Sequence, residues 1–146
     1  MGTTTVTRRY RFCAAHRLHT DCLSADENRT AFGKCNNPNG HGHNYVVFVT
    51  VALDADSAGS PATARLDELV AESIVKRFDH RDLNQDPLFA DRTTTGENLV
   101  VSIWDLLEKR LEGRLTKVGV IETRDNYFEY SRPVADAVGM NEVGRG

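Results

Sequence analysis

Between Gly33 and Tyr45 the chain reads Gly-Lys-Cys-Asn-Asn-Pro-Asn-Gly-His-Gly-His-Asn-Tyr, two imidazoles and a thiol in one glycine-rich loop that runs into a strand. Side chains of an extended strand return to the same face every second residue. His41 and His43 therefore point the same way and can chelate one ion, while Gly42 leaves the other face open. A third imidazole, His16, stands upstream in Phe12-Cys13-Ala14-Ala15-His16-Arg17-Leu18. Three neutral histidines with a free fourth position describe a catalytic zinc site, whereas a structural site closes that position with protein. Spacing leaves Cys35 three roles, as fourth ligand, buried inert thiol, or nucleophile or base, and only its electrostatic surroundings separate them. His19 has no spacing argument and reads as surface or scaffold.

Three further groups have plain structural alternatives. Asp79-His80 falls where a helix is expected to end, and a histidine there can complement the helix dipole or have a functional role. Glu122 shares a strand face with Val118 and Val120, which places a carboxylate at the end of an apolar row. In Thr93-Thr94-Thr95-Gly96-Glu97-Asn98, Thr94 and Glu97 have the spacing of a capping box ahead of an apolar run.

The elements that must hold these groups follow from periodicity. Thr5 to Ala14 alternates, with Val6, Tyr10, Phe12 and Ala14 on one side and Thr5, Thr7, Arg9 and Arg11 on the other, a strand with one wet face. His43 to Leu53 is apolar on both faces and β-branched, which predicts a strand covered on both sides. Leu66, Leu69, Val70, Ile74 and Phe78 fall at helical spacing, and so do Leu99, Ile103, Leu106, Leu107 and Leu111. Lys117 to Thr123 and Tyr127 to Tyr130 read as a hairpin turning at Asp125-Asn126. The order strand, long loop, strand, helix, helix, strand, strand predicts an α+β fold, an antiparallel sheet with helices on one face.

A chain of 146 residues has room for one domain with a real core. That domain is expected over residues 1–130, and the aperiodic tail from Ser131 to Gly146 is expected to be disordered. The formal charge of −3 is mild, and Arg8, Arg9 and Arg11 read as a solvated face rather than a nucleic-acid footprint. No stretch approaches the roughly 20 apolar residues of a membrane span, and the N-terminus lacks a signal-peptide core. Three cysteines at unrelated spacings argue for reduced thiols. A cytoplasmic protein without membrane or nucleic-acid partners is expected. No G-x-G-x-x-G or P-loop motif supports dinucleotide binding or nucleotide hydrolysis.

Phe12-x-Ala14-Ala15-His16, Asn28 followed by Phe32 to Tyr45, Phe78-Asp79-His80-Arg81-Asp82-Leu83-Asn84, Glu97-Asn98-Leu99, Ile103-Trp104 and Glu122-Thr123 occur in one order along the chain. Together they closely resemble the 6-pyruvoyl-tetrahydropterin synthase family, from residue 12 to about 130. The loop from Gly33 to Tyr45 looks like the pyruvoyl-forming, biopterin-type members, because related 6-carboxy-tetrahydropterin synthases commonly have a shorter segment before the histidine pair. The resemblance implies the tunnelling fold, a four-stranded antiparallel sheet with two helices on one face. In that fold three subunits close a barrel and two trimers stack into a homohexamer with sites at the interfaces.

The resemblance also implies roles. Zn2+ would sit on His16, His41 and His43, and Cys35 would act as base, helped by Asp79 and His80 of an adjacent subunit. A thiol with an unperturbed pKa of about 8.5 is mostly protonated at neutral pH, so such help has a physical reason. Glu122 would accept the paired ring N–H and amino donors of a pterin, and Thr94 and Thr95 would contribute to pterin binding. The implied reaction, of the tetrahydrobiopterin pathway, turns 7,8-dihydroneopterin triphosphate into 6-pyruvoyl-tetrahydropterin and inorganic triphosphate, as a zinc-dependent lyase.

Two departures from the family pattern stand out. The family often has Thr-Thr-Glu-Asn where this chain has Thr95-Gly96-Glu97-Asn98, which removes one hydroxyl. Between Asp54 and Leu66 the chain is polar and small where relatives carry a short apolar segment, so the sheet is trimmed there or the loop is mobile. Two rival readings are a 6-carboxy-tetrahydropterin synthase of deazapurine synthesis and a non-catalytic assembly or binding module in which Cys-x5-His-x-His closes a structural zinc site.

Overall fold

The alternating N-terminal segment forms β1 (Thr5–His16), and the segment opened by the histidine pair forms β2 (His41–Ala52). The two pair antiparallel along their whole length, from Thr5 opposite Ala52 to His16 opposite His41. The computed structural model describes residues 2–53 and 59–132. Beyond β2 come β4 (Leu115–Thr123) and β5 (Asn126–Ser131), joined through Arg124 and Asp125. At the opposite edge β3 (Arg81–Asp82) runs parallel to β1, so the strand order is β3-β1-β2-β4-β5. The four-stranded antiparallel sheet expected from the sequence thus gains a fifth, parallel strand. Two residues are too few to leave a period-two signal.

One face of this sheet carries the helices. The first apolar helical run forms α2 (Gly59–Val70), which continues through a π-helical turn (Ala71–Val75) and a final α turn (Lys76–Phe78). The second forms α3 (Gly96–Leu111). Leu66, Val70, Ile74 and Phe78 from one helix and Leu99, Ile103 and Leu107 from the other pack on Phe12, Tyr45, Val47, Val49, Val118 and Val120 of the sheet. This is the layered α+β architecture that the periodicity predicts.

The opposite face of β2 is covered only in part. Val46 and Phe48 stay half-buried, with the Arg9 guanidinium 5.2 Å above the Phe48 ring and Tyr127 edge-on to it at 6.1 Å. The apolar run of β2 overstates its burial in this chain because residues are apolar on both faces while helices lie on one.

Helix α1 (Ala25–Phe32) lies inside the expected long loop. Its only buried residue is Asn28, so it has no apolar period to betray it. The signal it does carry is a capping box: Glu27 N donates to Ser24 Oγ at 3.1 Å and Ser24 N donates to Glu27 Oε1 at 2.8 Å.

The box expected at Thr94 and Glu97 does not form. Thr95 caps α3 instead, its hydroxyl accepting from Asn98 N at 3.2 Å. Thr94 is drawn into the interior, where its carbonyl serves another partner described below, and the helix begins one residue later.

Gly96 has a reason of its own. A Cβ built there would lie 2.1 Å from Cε2 of Phe128, so the ring occupies the space a side chain would need. Gly96→Thr is expected to destabilise the protein by about 1–3 kcal/mol through overpacking. Urea denaturation measures this, and Phe128→Ala in the same chain should recover part of the loss. A simple sum of the two single effects would show that the ring is not the obstacle.

From Gly59 onward the polar segment between Asp54 and Leu66 belongs to α2. Residues 54–58 and the tail beyond Arg132 lie outside the described residues, so the expectations of a trimmed edge or mobile loop and of a disordered tail fall largely there.

Candidate active site

The antiparallel register brings together histidines far apart in sequence. His16 ends β1 directly opposite His41, Ala14 faces His43, and strand alternation puts all three imidazoles on the helix-covered side. Their ring centroids lie 4.5, 5.0 and 4.7 Å apart. Nε2 of His16 is 2.9 Å from Nε2 of His41, and one ring nitrogen from each residue falls within 4.8 Å of the others. Gly40, at φ +74°, makes the turn that starts β2 here, where a Cβ would press on the His16 carbonyl oxygen at 3.2 Å.

The electrostatics favour metal ligation. Burial pulls the His16 imidazole down to about 4, against the opposing bond to Thr94. His41 and His43 are lowered too, chiefly by burial. Neutral imidazole is the form that binds a metal. His16 Nδ1–H donates to the Thr94 carbonyl at 2.7 Å, which sets the tautomer and leaves the Nε2 lone pair facing the cluster. The three-imidazole donor set suits a borderline metal such as zinc. His41 Nδ1 and the Tyr45 hydroxyl are buried without a hydrogen-bond partner among the described residues.

Glu122 completes this corner. It is the extra residue where the β4–β5 pairing shifts register between Ile121 and Thr123, a bulge that aims its carboxylate inward. Its Oε2 lies 3.7 Å from His16 Nε2. Burial raises the Glu122 carboxyl above the usual range; His41 opposes this and Glu97 adds to it. The same burial, with Glu122 nearby, raises the Tyr45 phenol, which stays a donor.

Cys35 stands outside the set of donors that can share one ion. It is half-buried in the 3-10 turn Gly33–Asn36. Its carbonyl accepts from Leu18 N at 2.7 Å, and Asn36 Nδ2 donates to the Leu18 carbonyl at 2.6 Å. Arg17 Nε adds a bond to the Asn36 carbonyl at 3.1 Å, and His19 Nδ1 lies 3.0 Å from the Asn36 amide. The segment after His16 is thereby clamped to the turn that carries the thiol, with His19 as part of the scaffold.

Asp79 and His80 sit elsewhere. Asp79 Oδ1 accepts from Cys13 N at 2.9 Å, and His80 N donates to the Cys13 carbonyl at 2.6 Å. These bonds hold His80 in a left-handed conformation, φ 58°, a cost that marks the position as a candidate for function. Its imidazole lies 3.6 Å from Asp79 Oδ2 and its side chain is 80 % exposed. His80 borders a cleft of about 490 Å³ with Cys13, Gly42, His43, Asn44 and Asp82. Among the described residues no hydrogen bond or ion pair joins Asp79 or His80 to Cys35.

Thr94 is 1 % exposed, and its hydroxyl donates to the Arg17 carbonyl at 3.3 Å. Its carbonyl accepts from His16 Nδ1–H and so supports that imidazole. Thr95 is half-buried at the start of α3 with its hydroxyl engaged in the cap. Asn84 holds Arg17 from both sides, accepting from its N–H at 2.6 Å and donating to its carbonyl at 3.0 Å.

Comparison with known proteins bears on this geometry. The profile of the family described as 6-pyruvoyl tetrahydropterin synthase matches residues 5–133. A human protein named 6-pyruvoyl tetrahydrobiopterin synthase is 49 % identical over 129 residues, covering 86 % of this chain and 89 % of that protein. A Dictyostelium discoideum protein of the same name is 38 % identical over 131 residues, covering 88 % and 96 %. The solved structure of Caenorhabditis elegans 6-pyruvoyl tetrahydropterin synthase superposes with a TM-score of 0.83 at 37 % identity, over 91 % of this chain and 98 % of that one.

Proposed function

The chain belongs to the 6-pyruvoyl tetrahydropterin synthase family, a family of lyase-type enzymes, and on that premise we propose that it converts 7,8-dihydroneopterin triphosphate to 6-pyruvoyl-tetrahydropterin and inorganic triphosphate. The observation that carries this reading to the site is the convergence of His16, His41 and His43 beside the Glu122 carboxylate. His16, His41 and His43 hold Zn2+ in this reading, and a zinc ion there supplies Lewis acidity toward the substrate's side-chain oxygens, which acidifies the adjacent C–H.

The rest is work for the chain's own groups. Glu122 accepts the ring N–H and amino hydrogens of the pterin as a bidentate pair and so sets the ring's orientation. Cys35, as thiolate, takes the side-chain proton. Asp79 orients His80, and His80 relays protons to and from the thiol; their exposure suits a role at the site of a neighbouring copy. Returning the proton to the pterin ring reduces the ring as the side chain is oxidised, so no nicotinamide is required. In this reading Thr95, at the start of α3, contributes to pterin binding, and the Thr94 carbonyl orients His16. The assembly is a homohexamer of two stacked trimers. Cys13, Cys22 and Cys35 are all free thiols, which suits a reducing, cytoplasmic setting. Among the described residues no helix is long and apolar enough to cross a membrane.

Incubating pure zinc-loaded protein with 7,8-dihydroneopterin triphosphate and weighing the products tests the reading. The pyruvoyl product with free triphosphate is expected. A 6-carboxy product would shift the assignment to the deazapurine branch, and unaltered substrate would favour a closed structural zinc site.

The anchoring role has its own measure. A charge-assisted pair of bonds to Glu122 is worth about 1.5–3 kcal/mol, so Glu122→Gln should weaken pterin binding roughly 10-fold to 150-fold. Direct titration with a fluorescent pterin reads this, and wild-type affinity in the variant would place the anchor elsewhere.

A further inference from the structure

Tyr45 is fully buried, yet its hydroxyl finds no partner among the described residues. The ring is held on several sides. It stacks on Phe12 at 5.0 Å, which in turn leans on Phe78 at 5.5 Å. It meets His43 edge-on at 5.6 Å and His16 at 6.3 Å. The Glu122 carboxylate is near enough to act on the phenol electrostatically. A phenylalanine would fill the same volume without desolvating an oxygen, so the hydroxyl is carried at a cost that hydrophobic packing does not explain. Its neighbours are two candidate metal ligands and the candidate pterin anchor. With almost no accessible surface, the oxygen has no access to bulk water as an alternative partner.

We propose that Tyr45 is a further substrate-binding residue, its O–H donating a hydrogen bond to the substrate side-chain oxygen held at the histidine triad. This rests on the pterin reading given above. The stacked and edge-on contacts leave the ring little freedom, so little rotamer entropy is lost when a ligand entering the histidine corner opens access to the hydroxyl. A hydroxyl in this position distinguishes a pterin with an oxygenated side chain from a bare pterin, because only the former supplies the acceptor.

Tyr45→Phe tests the proposal with little disturbance of packing. Zinc-loaded wild type and variant are titrated with neopterin, which has the hydroxylated side chain, and with pterin, which lacks it. The variant is expected to bind neopterin about 10-fold more weakly while its affinity for pterin changes less than about 2-fold. Zinc retention against a chelator and the thermal midpoint should match wild type. Unchanged neopterin affinity overturns the proposal, as does an equal loss for both ligands, which would mark a packing role. Loss of zinc in the variant overturns it as well, by assigning the hydroxyl to the metal site. If wild type binds neither compound, the pterin reading fails and takes this inference with it; if wild type binds both and the variant binds them equally, only the inference falls.

Discussion

His41→Ala is expected to leave the protein folded and nearly free of zinc, with turnover lost in proportion. Apparent zinc affinities of protein sites at neutral pH correspond to about 10–16 kcal/mol spread over the ligands. Removing one of three imidazoles therefore costs on the order of 4 kcal/mol, roughly a 1000-fold loss of affinity. The same holds for His16→Ala and His43→Ala, since the three ring nitrogens converge on one point. Cys35→Ser is the informative control. The thiol lies outside the converging set, so zinc per subunit should stay near wild type in that variant. Metal content after dialysis, measured by atomic emission on all four variants, decides the matter. Zinc lost from Cys35→Ser would make the site a closed structural one.

Cys35→Ala should act on the chemistry alone. Removing a base slows a proton transfer by about 100-fold to 10,000-fold, while Glu122 and the triad still hold the ligand. Turnover is expected to collapse with pterin affinity unchanged, the opposite of Glu122→Gln. His80→Ala should also be inactive, and the geometry makes a sharper test of the pair. Within one chain, the His80 side chain is 80 % exposed and has no bond to Cys35 among the described residues. If the two act together, they do so across a subunit boundary. Mixing Cys35→Ala and His80→Ala proteins under exchange conditions should then restore part of the activity, through sites that draw an intact half from each. Mixed oligomers with no recovered turnover would rule out a shared site, and a monomer in solution would end the idea.

Some positions have surroundings in the fold that their sequence neighbours do not reveal. Thr94 has the spacing of a helix cap and the chemistry of a ligand contact, but its carbonyl is the partner that orients His16, and that bond pulls the residue inside. Gly96 departs from the family pattern and looks like the loss of a hydroxyl. Its neighbour Phe128, distant in sequence, occupies the space instead. Helix α1 buries only an asparagine, so the capping box at Ser24 and Glu27 is the signature it leaves in the sequence.

What the sequence determined alone is whatever depends on residue type and short spacing. His-x-His on a strand puts two imidazoles on one face, a leucine every third or fourth position makes a helix with one apolar side, and neither needs knowledge of the rest of the chain. The α+β class and the choice of imidazoles as candidate ligands follow from that. Tertiary structure decided which distant groups meet. Only the β1–β2 register sets His16 against His41, and only the bulge in β4 brings Glu122 to within 3.7 Å of His16. Burial in that shared corner then lowers the histidines and raises Glu122, and it leaves the Tyr45 hydroxyl without a partner among the described residues. The physical reason is one of range: backbone period acts over a few residues, whereas desolvation and charge act through space on whatever folding has made adjacent.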